Sequence, residues 1–347
     1  MGAKGVRWNP TGDDSRQSID EYEAETGHTE EAEWYRRSRY DWNPNDQDGT
    51  ILRISKSSLS TYGWCPQQYY IKRFVGIPEE QNDAMTRGSN VHDFVEFFWA
   101  DFSAEEEVVN LHESGKTEEA RELFYTHATP EPPEPYVFGE PEQILQWLEW
   151  QYQRLIRGGV KNWRPVSVEA HVHANRYVEV EGEHISVHLS GFIDSIFYTG
   201  HGTFALMELK TGKWKQRSGL PKMRKEMGFY QMFLNNSPHS EFLPISHWGW
   251  EFPGGAENGG ERNALIYEGA ISRTLVSVEN ALKKLVTAHI NMDFPPDPWL
   301  GRPKRDKEGN MLPWEQQTLK CNWCNYHEHC DFWSITDKYL DELERAE

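Results

Sequence analysis

Long apolar runs are absent from this 347-residue sequence: no stretch of eighteen apolar residues occurs, which removes the expectation of a membrane-spanning helix. The opening MGAKGVRWNP has neither a hydrophobic signal core nor a hydroxyl residue at the sixth position, so a soluble, cytoplasmic protein without a membrane partner is expected. Cysteine is scarce. Four residues are too few to staple a fold of this length, so their spacing matters more than their number. Positive charge is in deficit, with 36 Lys and Arg against 55 Asp and Glu, and the net −19 at first speaks against a phosphate-rich partner. No G-x-x-x-x-G-K-S/T segment occurs, so no helicase motor is encoded. No internal repeat is present. Aromatic side chains are plentiful at 13%, unlike a disordered chain, and the length suffices for a core that needs no disulfides.

The acidity is uneven. Residues 1–50 carry net −6 and residues 101–160 net −9, so an arm and an insertion hold most of it. Between Glu208 and Lys225 the sign reverses: Lys210, Lys213, Lys215, Arg217, Lys222, Arg224 and Lys225 accompany the single acid Glu208. A solvated charged loop would look like this, and so would a strip that contacts nucleic-acid phosphates through Lys213, Lys215, Arg217, Lys222, Arg224 and Lys225.

Residues 1–50 read as an acidic N-terminal arm with scattered aromatics. Ser57–Phe74 reads as two short helices around a turn at Gly63–Pro66. Thr86–Phe102 places Val91, Phe94, Val95, Phe98 and Trp99 at helical spacing, which predicts a buried helix with His92 near its start. Residues 103–160 read as an acidic helical insertion, broken at Pro130, Pro132, Pro133 and Pro135, with its last helix from about Pro141 to Arg157. The period then changes to two. Val166–Val180, Ile185–Leu189, GFIDSIFY and FALMELKT predict three or four consecutive strands with turns at Glu181–Glu183 and TGHG. Helical spacing returns over Lys222–Asn235 and Ser277–Ile290, on either side of a glycine-rich loop at Gly254–Asn263. A proline-rich basic loop at Asp293–Arg305 and a terminal amphipathic helix complete the chain. The fold class is α/β, a small mixed sheet flanked by helices, with one domain formed by residues 51–102 and 161–347.

Chemistry concentrates on the last strand pair. A hairpin centred on His201 sets Asp194 opposite Glu208, and the alternation of a strand puts Lys210 on the face of Glu208. Like charges directly opposed on neighbouring strands destabilise a sheet, and these lie among Ile193, Ile196, Leu206, Met207 and Leu209. A divalent cation would relieve the repulsion, with the lysine orienting a water beside it. A plain Glu208–Lys210 ion pair, with Asp194 capping a strand end, is the competing reading.

These residues resemble a known family. GFID, ELK fourteen residues later, RGSNVHDF before them and a helix containing Tyr230 after them are similar to the RecB-type branch of the PD-(D/E)xK nucleases, with a restriction-endonuclease-like core. The resemblance implies a Mg²⁺- or Mn²⁺-dependent phosphodiesterase in which Asp194 and Glu208 ligate metal, the Leu209 carbonyl adds an oxygen and Lys210 serves the attacking water. His92 corresponds to that branch's additional metal ligand, and Tyr230 to the tyrosine of its Gln-x-x-x-Tyr helix. The glutamine position of that motif holds Glu226, with Gln231 displaced beyond the tyrosine.

The cysteines extend the likeness. Cys321, Cys324 and Cys330 form C-x2-C-x5-C and Cys65 lies far upstream, an order similar to the iron-sulfur subset found in CRISPR-associated nucleases and AddB-type subunits. That subset implies a 4Fe-4S cluster closing the first helical segment onto the C-terminal one. Zinc is the rival ligand, since His327 and His329 fall between Cys324 and Cys330. The resulting expectation is a DNA nuclease, an exonuclease on single strands or ends in repair, recombination or CRISPR adaptation, acting alone or with a helicase or adaptation protein. A non-catalytic DNA-binding or assembly module that keeps the fold and the cluster is the alternative.

Overall fold

A computed structural model describes residues 40–41, 51–75, 77, 83–129, 141–214, 219–238, 240–255, 265–298, 304–310, 312, 316–317, 319–326 and 329–330. Nearly all of the acidic arm, the prolines at 130–135, Lys215, Arg217, most of the glycine-rich loop, His327 and the terminal amphipathic segment lie outside the described residues. No described helix is long and apolar enough to cross a membrane. The chain divides into two compact units, one of residues 81–174 and 191–278, the other of residues 1–80, 175–190 and 279–347.

The first unit is built on aromatic packing. Helix α3 (Asp83–Asp101) buries Val91, Phe94, Phe98 and Trp99 on one face, the spacing its sequence predicts. Residues 103–160, expected as an acidic insertion, form α4 (Glu105–Glu113), α5 (Thr117–Ala128) and α6 (Pro141–Gly158). Most of their acids face solvent, Glu105 and Glu149 being held by Arg164 and Arg121, while Val108, Phe124, Trp147 and Leu148 share one core with Phe98 and Trp163 of the short α7 (Val160–Trp163). Helix α6 buries Ile144, Trp147, Leu148, Gln151, Tyr152 and Leu155, a stripe at i, i+3 and i+4 spacing. It also answers a buried charge. Glu251 receives the Trp147 indole N–H at 2.7 Å and the Arg154 guanidinium at 2.8 Å, so neither carboxylate oxygen is buried without a donor.

Strands supply the second layer of this unit. The expected run of consecutive strands is present as β3 (Ser167–Val180), β4 (Glu183–Tyr198) and β5 (Phe204–Leu209), of which β3 and β4 contribute to both units. β5 pairs antiparallel with β4 and parallel with β6 (Ile245–Glu251), and β6 pairs antiparallel with β7 (Leu265–Gly269). The sheet is therefore mixed. Strand β6, ISHWGWE, and β7 were not legible in the sequence. The Trp, His and Gly content of β6 gives little β-branched alternation to read, and the five residues LIYEG of β7 are too short for a pattern.

The other unit pairs β1 (Tyr40–Asp41) with β2 (Ile51–Ser55), and β2 in parallel with the first half of β4, Leu52 beside Val187. Helices α1 (Lys56–Trp64) and α2 (Pro66–Tyr70) follow, α1 capped by the Ser55 hydroxyl accepting from the Ser58 N–H, and α2 starting with Pro66, whose missing N–H costs nothing there. Tyr69, Phe74 and Phe294 surround His289 in an aromatic cluster.

Helix α8 (Leu220–Asn236) meets α9 (Ser272–Asn291) through Gly228, where an added Cβ would lie 3.0 Å from the Thr274 methyl and 3.2 Å from a Val278 methyl. Gly228→Leu should therefore destabilise the protein by about 1–3 kcal/mol in urea unfolding, as overpacked contacts do. Gly63→Ala, in α1 with nothing within 4 Å of the added carbon, should stabilise it by roughly 0.5–1 kcal/mol.

Candidate active site

The β4–β5 register pairs Ser195 with Met207, and one residue further it sets Asp194 against Glu208, as the hairpin arithmetic requires. The Leu209 N–H donates to Asp194 Oδ2 at 2.6 Å, fixing the carboxylate across the strand pair. Glu208 is only 4% exposed, inside a strand whose neighbours Leu206, Met207 and Leu209 are buried. Burial in this apolar surround, and then the Glu208 charge, push the Asp194 carboxyl up to about 7, against the opposing pull of His92 and the Leu209 N–H.

Lys210 reaches back to Glu208 at 2.6 Å and across to Glu226 of α8 at 2.9 Å. Burial works against its charge, but the two carboxylates outweigh it and hold the ammonium above the usual lysine range. Tyr230, one turn after Glu226, is 3% exposed and hydrogen-bonds to Glu208. Burial first, then the charges of Glu208 and Asp194, push its phenol above the ordinary range, so it remains the donor.

On the other side of Asp194, His92 of α3 stands with Nδ1 3.8 Å from Glu169 Oε1 of β3. Burial favours the neutral ring, yet the bond to Glu169 and the charges of Asp194, Glu169 and Glu208 raise the imidazole above its usual value. His92, Glu169 and Asp194 bring one ligand atom each to within 4.8 Å of one another. A nitrogen and two carboxylate oxygens at that spacing, around a carboxyl raised by burial and then by the Glu208 charge, fit a divalent cation.

His92, Asp194, Glu208, Lys210 and Tyr230 are thus gathered in one charge-coupled group, with Leu209 contributing its backbone. Sequence reasoning missed one member, Glu169, and gave no role to Glu226, although it had placed it at i, i+4 spacing from Tyr230 on one helix. Glu169 had no local signal: its φ of 46° departs from the strand's extended backbone, so the two-residue alternation does not report where it points. Of the basic residues, Lys213, Lys222 and Lys225 are exposed, whereas Arg224 is engaged by Glu268 through two bonds of 2.6 Å.

In the other unit, Cys65, Cys321, Cys324 and Cys330 line one cavity together with Trp64, Ile71 and Pro296, and none is in a disulfide. Burial, and then the other three cysteines, push the Cys321 thiol up to about 11. The Asp297 N–H donates to Cys65 Sγ at 3.4 Å, and Lys320 spans Asp297 at 2.6 Å and the Trp64 carbonyl. Four sulfurs on one apolar wall are a donor set that a cluster or a soft metal fits.

The Asp194 environment makes metal-free stability pH-dependent. A carboxyl whose pKa rises from 3.8 to about 7 on folding contributes most below pH 3.8, and that contribution drains away as pH rises through 7. In EDTA the thermal midpoint should fall across this window. Asp194→Asn should flatten the fall, and a midpoint slope unchanged by that substitution would contradict the assigned environment.

The model of the PD-(D/E)XK nuclease superfamily matches residues 53–331. No curated protein matches the chain. Among solved structures, the crystal structure of SSO0001 is similar at 12% identity and a TM-score of 0.33, covering 80% of this chain and 85% of that one. Because the family match runs from β2 past the last cysteine and takes in every residue of the carboxylate and lysine group, the chain belongs to the PD-(D/E)XK nuclease superfamily, whose members are nucleases that use Mg²⁺ or Mn²⁺.

Proposed function

We propose that the protein is a DNA nuclease of the RecB type, an exonuclease on single-stranded DNA or DNA ends, that also carries a 4Fe-4S cluster. The observation behind this reading is the convergence of Asp194, Glu208, Lys210 and Tyr230 from a strand pair and a helix, with His92 against Asp194. His92, Asp194 and Glu208, with the Leu209 carbonyl, would hold Mg²⁺ or Mn²⁺, which lowers the pKa of a bound water and neutralises charge on the phosphate. Lys210 stays protonated between its two carboxylates, so its part is to orient water and stabilise developing negative charge, not to accept a proton. Tyr230 positions Glu208 from behind. The exposed Lys213, Lys222 and Lys225 would meet the phosphate backbone without reading sequence.

Cys65, Cys321, Cys324 and Cys330 would hold the cluster. Four thiols lining one cavity match the ligand number of a 4Fe-4S cluster. His329, the described member of the rival pair, is exposed. This branch of the family points to end processing in repair, recombination or CRISPR adaptation, alone or beside a helicase or adaptation protein.

Cleavage of end-labelled single- and double-stranded DNA, with free and blocked ends, in Mg²⁺ and in Mn²⁺, tests the activity. Asp194→Ala, Glu208→Ala and Lys210→Ala should each lower the rate by at least about 10²–10³-fold while DNA binding persists. Wild-type cleavage by the Asp194→Ala protein would sink the assignment. For the cluster, anaerobically purified protein should hold about four irons and absorb broadly near roughly 400 nm. Cys65→Ser should lose both as completely as Cys321→Ser does, and stoichiometric zinc without iron would refute the cluster.

A further inference from the structure

We propose that Glu169 is a further metal ligand of the active site, completing with His92 and Asp194 a cation position that the carboxylate-lysine motif does not contain; the inference rests on the metal-dependent reading above. Three observations lead there. The ligand atoms of His92, Glu169 and Asp194 already lie within 4.8 Å of one another, and all three side chains are half-buried. Glu169 occupies a left-handed backbone position, φ 46°, near the start of a strand, a conformation unfavourable for a non-glycine residue that re-aims its side chain. The side chain so directed meets His92 at 3.8 Å, between the helix and the strand that carry the other two ligands.

Glu208 is differently employed. Lys210 and Tyr230 both donate to it, so part of its acceptor capacity is taken up and much of its charge is balanced. Glu169 faces the imidazole of His92 at 3.8 Å, and its charge acts on Asp194 as well. Glu169, on a strand outside the family's motif, keeps 33% of its side chain exposed where Glu208 is 4% exposed. A site with one imidazole and two such carboxylates takes Mn²⁺ more readily than an all-oxygen site would, because nitrogen ligands gain along the series from Mg²⁺ to the transition metals.

The test is Mn²⁺ binding to the full-length protein without DNA, followed by the loss of the free-ion electron paramagnetic resonance signal and by calorimetry. Glu169→Gln keeps the side-chain volume and removes the charge. It should weaken Mn²⁺ binding by about 10–100-fold or more, at least as much as losing an outer-shell partner costs. Asp194→Asn should do the same. The raised melting temperature that saturating Mn²⁺ gives the wild type should shrink in both variants. Glu169→Asp, should Glu169→Gln fold poorly, ought to retain measurable binding between the two extremes. If Glu169→Gln binds Mn²⁺ with wild-type affinity while Asp194→Asn does not, the Glu169 inference is overturned and the nuclease reading stands. If neither substitution weakens binding, the metal site itself is misplaced and both fall.

Discussion

Two carboxylates on adjacent strands govern this molecule's chemistry. The register of β4 against β5 brings Asp194 and Glu208 side by side among buried aliphatic residues, where their repulsion is poorly screened. Neither strand can slip to relieve it, because a shift of one residue would turn Leu206 and its buried neighbours to the opposite face. The surroundings answer the charge instead. An N–H from Leu209 steadies Asp194, an ammonium and a phenol converge on Glu208, and in the absence of a cation a proton on Asp194 disposes of what remains. The supports extend outward from there. Glu251, held by Trp147 and Arg154, accepts the Lys210 N–H at its own carbonyl and so fixes the strand end that carries the lysine. Gly228 lets α8 lie close enough to Thr274 and Val278 for Glu226 and Tyr230 to keep their stations. The helices of residues 103–160 therefore belong to the scaffold of the site despite their acidic surface.

How much of this was legible in the sequence follows from which signals are local. The strand pair, its turn and the opposition of Asp194 to Glu208 needed only a period of two and a short loop with glycines. Helix α3 announced itself through five apolar residues at helical spacing, and His92 came with it. What escaped depended on tertiary context. Strand β6 is a run of large aromatics around Gly249, and its placement beside β5 is set by a parallel pairing across a helix, which no local pattern reports. Glu169 escaped because one left-handed residue breaks the alternation by which a strand is read. The basic strip shows the opposite error of emphasis, since charge counted along the chain ignores partners. Arg224 counts as a cation in the sequence and is spent on Glu268 in the fold.

The cysteines illustrate closure over distance. Cys65 sits at the junction of α1 and α2, while the other three come from a C-terminal stretch with little secondary structure beyond one short 3₁₀ turn at Lys320–Trp323. Its Lys320 N–H donates to the Pro298 carbonyl at 2.7 Å. The Lys320 ammonium, reaching the Trp64 carbonyl and Asp297, and the Asp297 N–H on Cys65 add side-chain ties. Buried thiols crowded together resist ionisation, as Cys321 does, so a metal that binds them must displace protons and its affinity will grow with pH. A group held by all four cysteines would close a long loop of chain, and its loss would lower the stability of this unit.

A last consequence concerns how so acidic a site can receive an anion. Lys210 lies between Glu208 and Glu226, which divide its charge, and Asp194 and Glu169 add negative charge to the same group. An approaching phosphodiester would meet net repulsion from this group, and a lysine held by carboxylates at 2.6 and 2.9 Å offers little long-range attraction. Two kinds of positive charge can reverse the balance. One is the cation for which the carboxylates are arranged, and the other is the exposed set of Lys213, Lys222 and Lys225, which begins three residues beyond Lys210 and continues on α8. The second would attract DNA whether or not the site is filled, while the first would act only at short range. Affinity and cleavage are therefore assigned to different residues of the same short stretch of chain. That separation explains how a protein of net charge −19 can hold a polyanion: the attraction has to be local, and the sequence places it next to the catalytic strand.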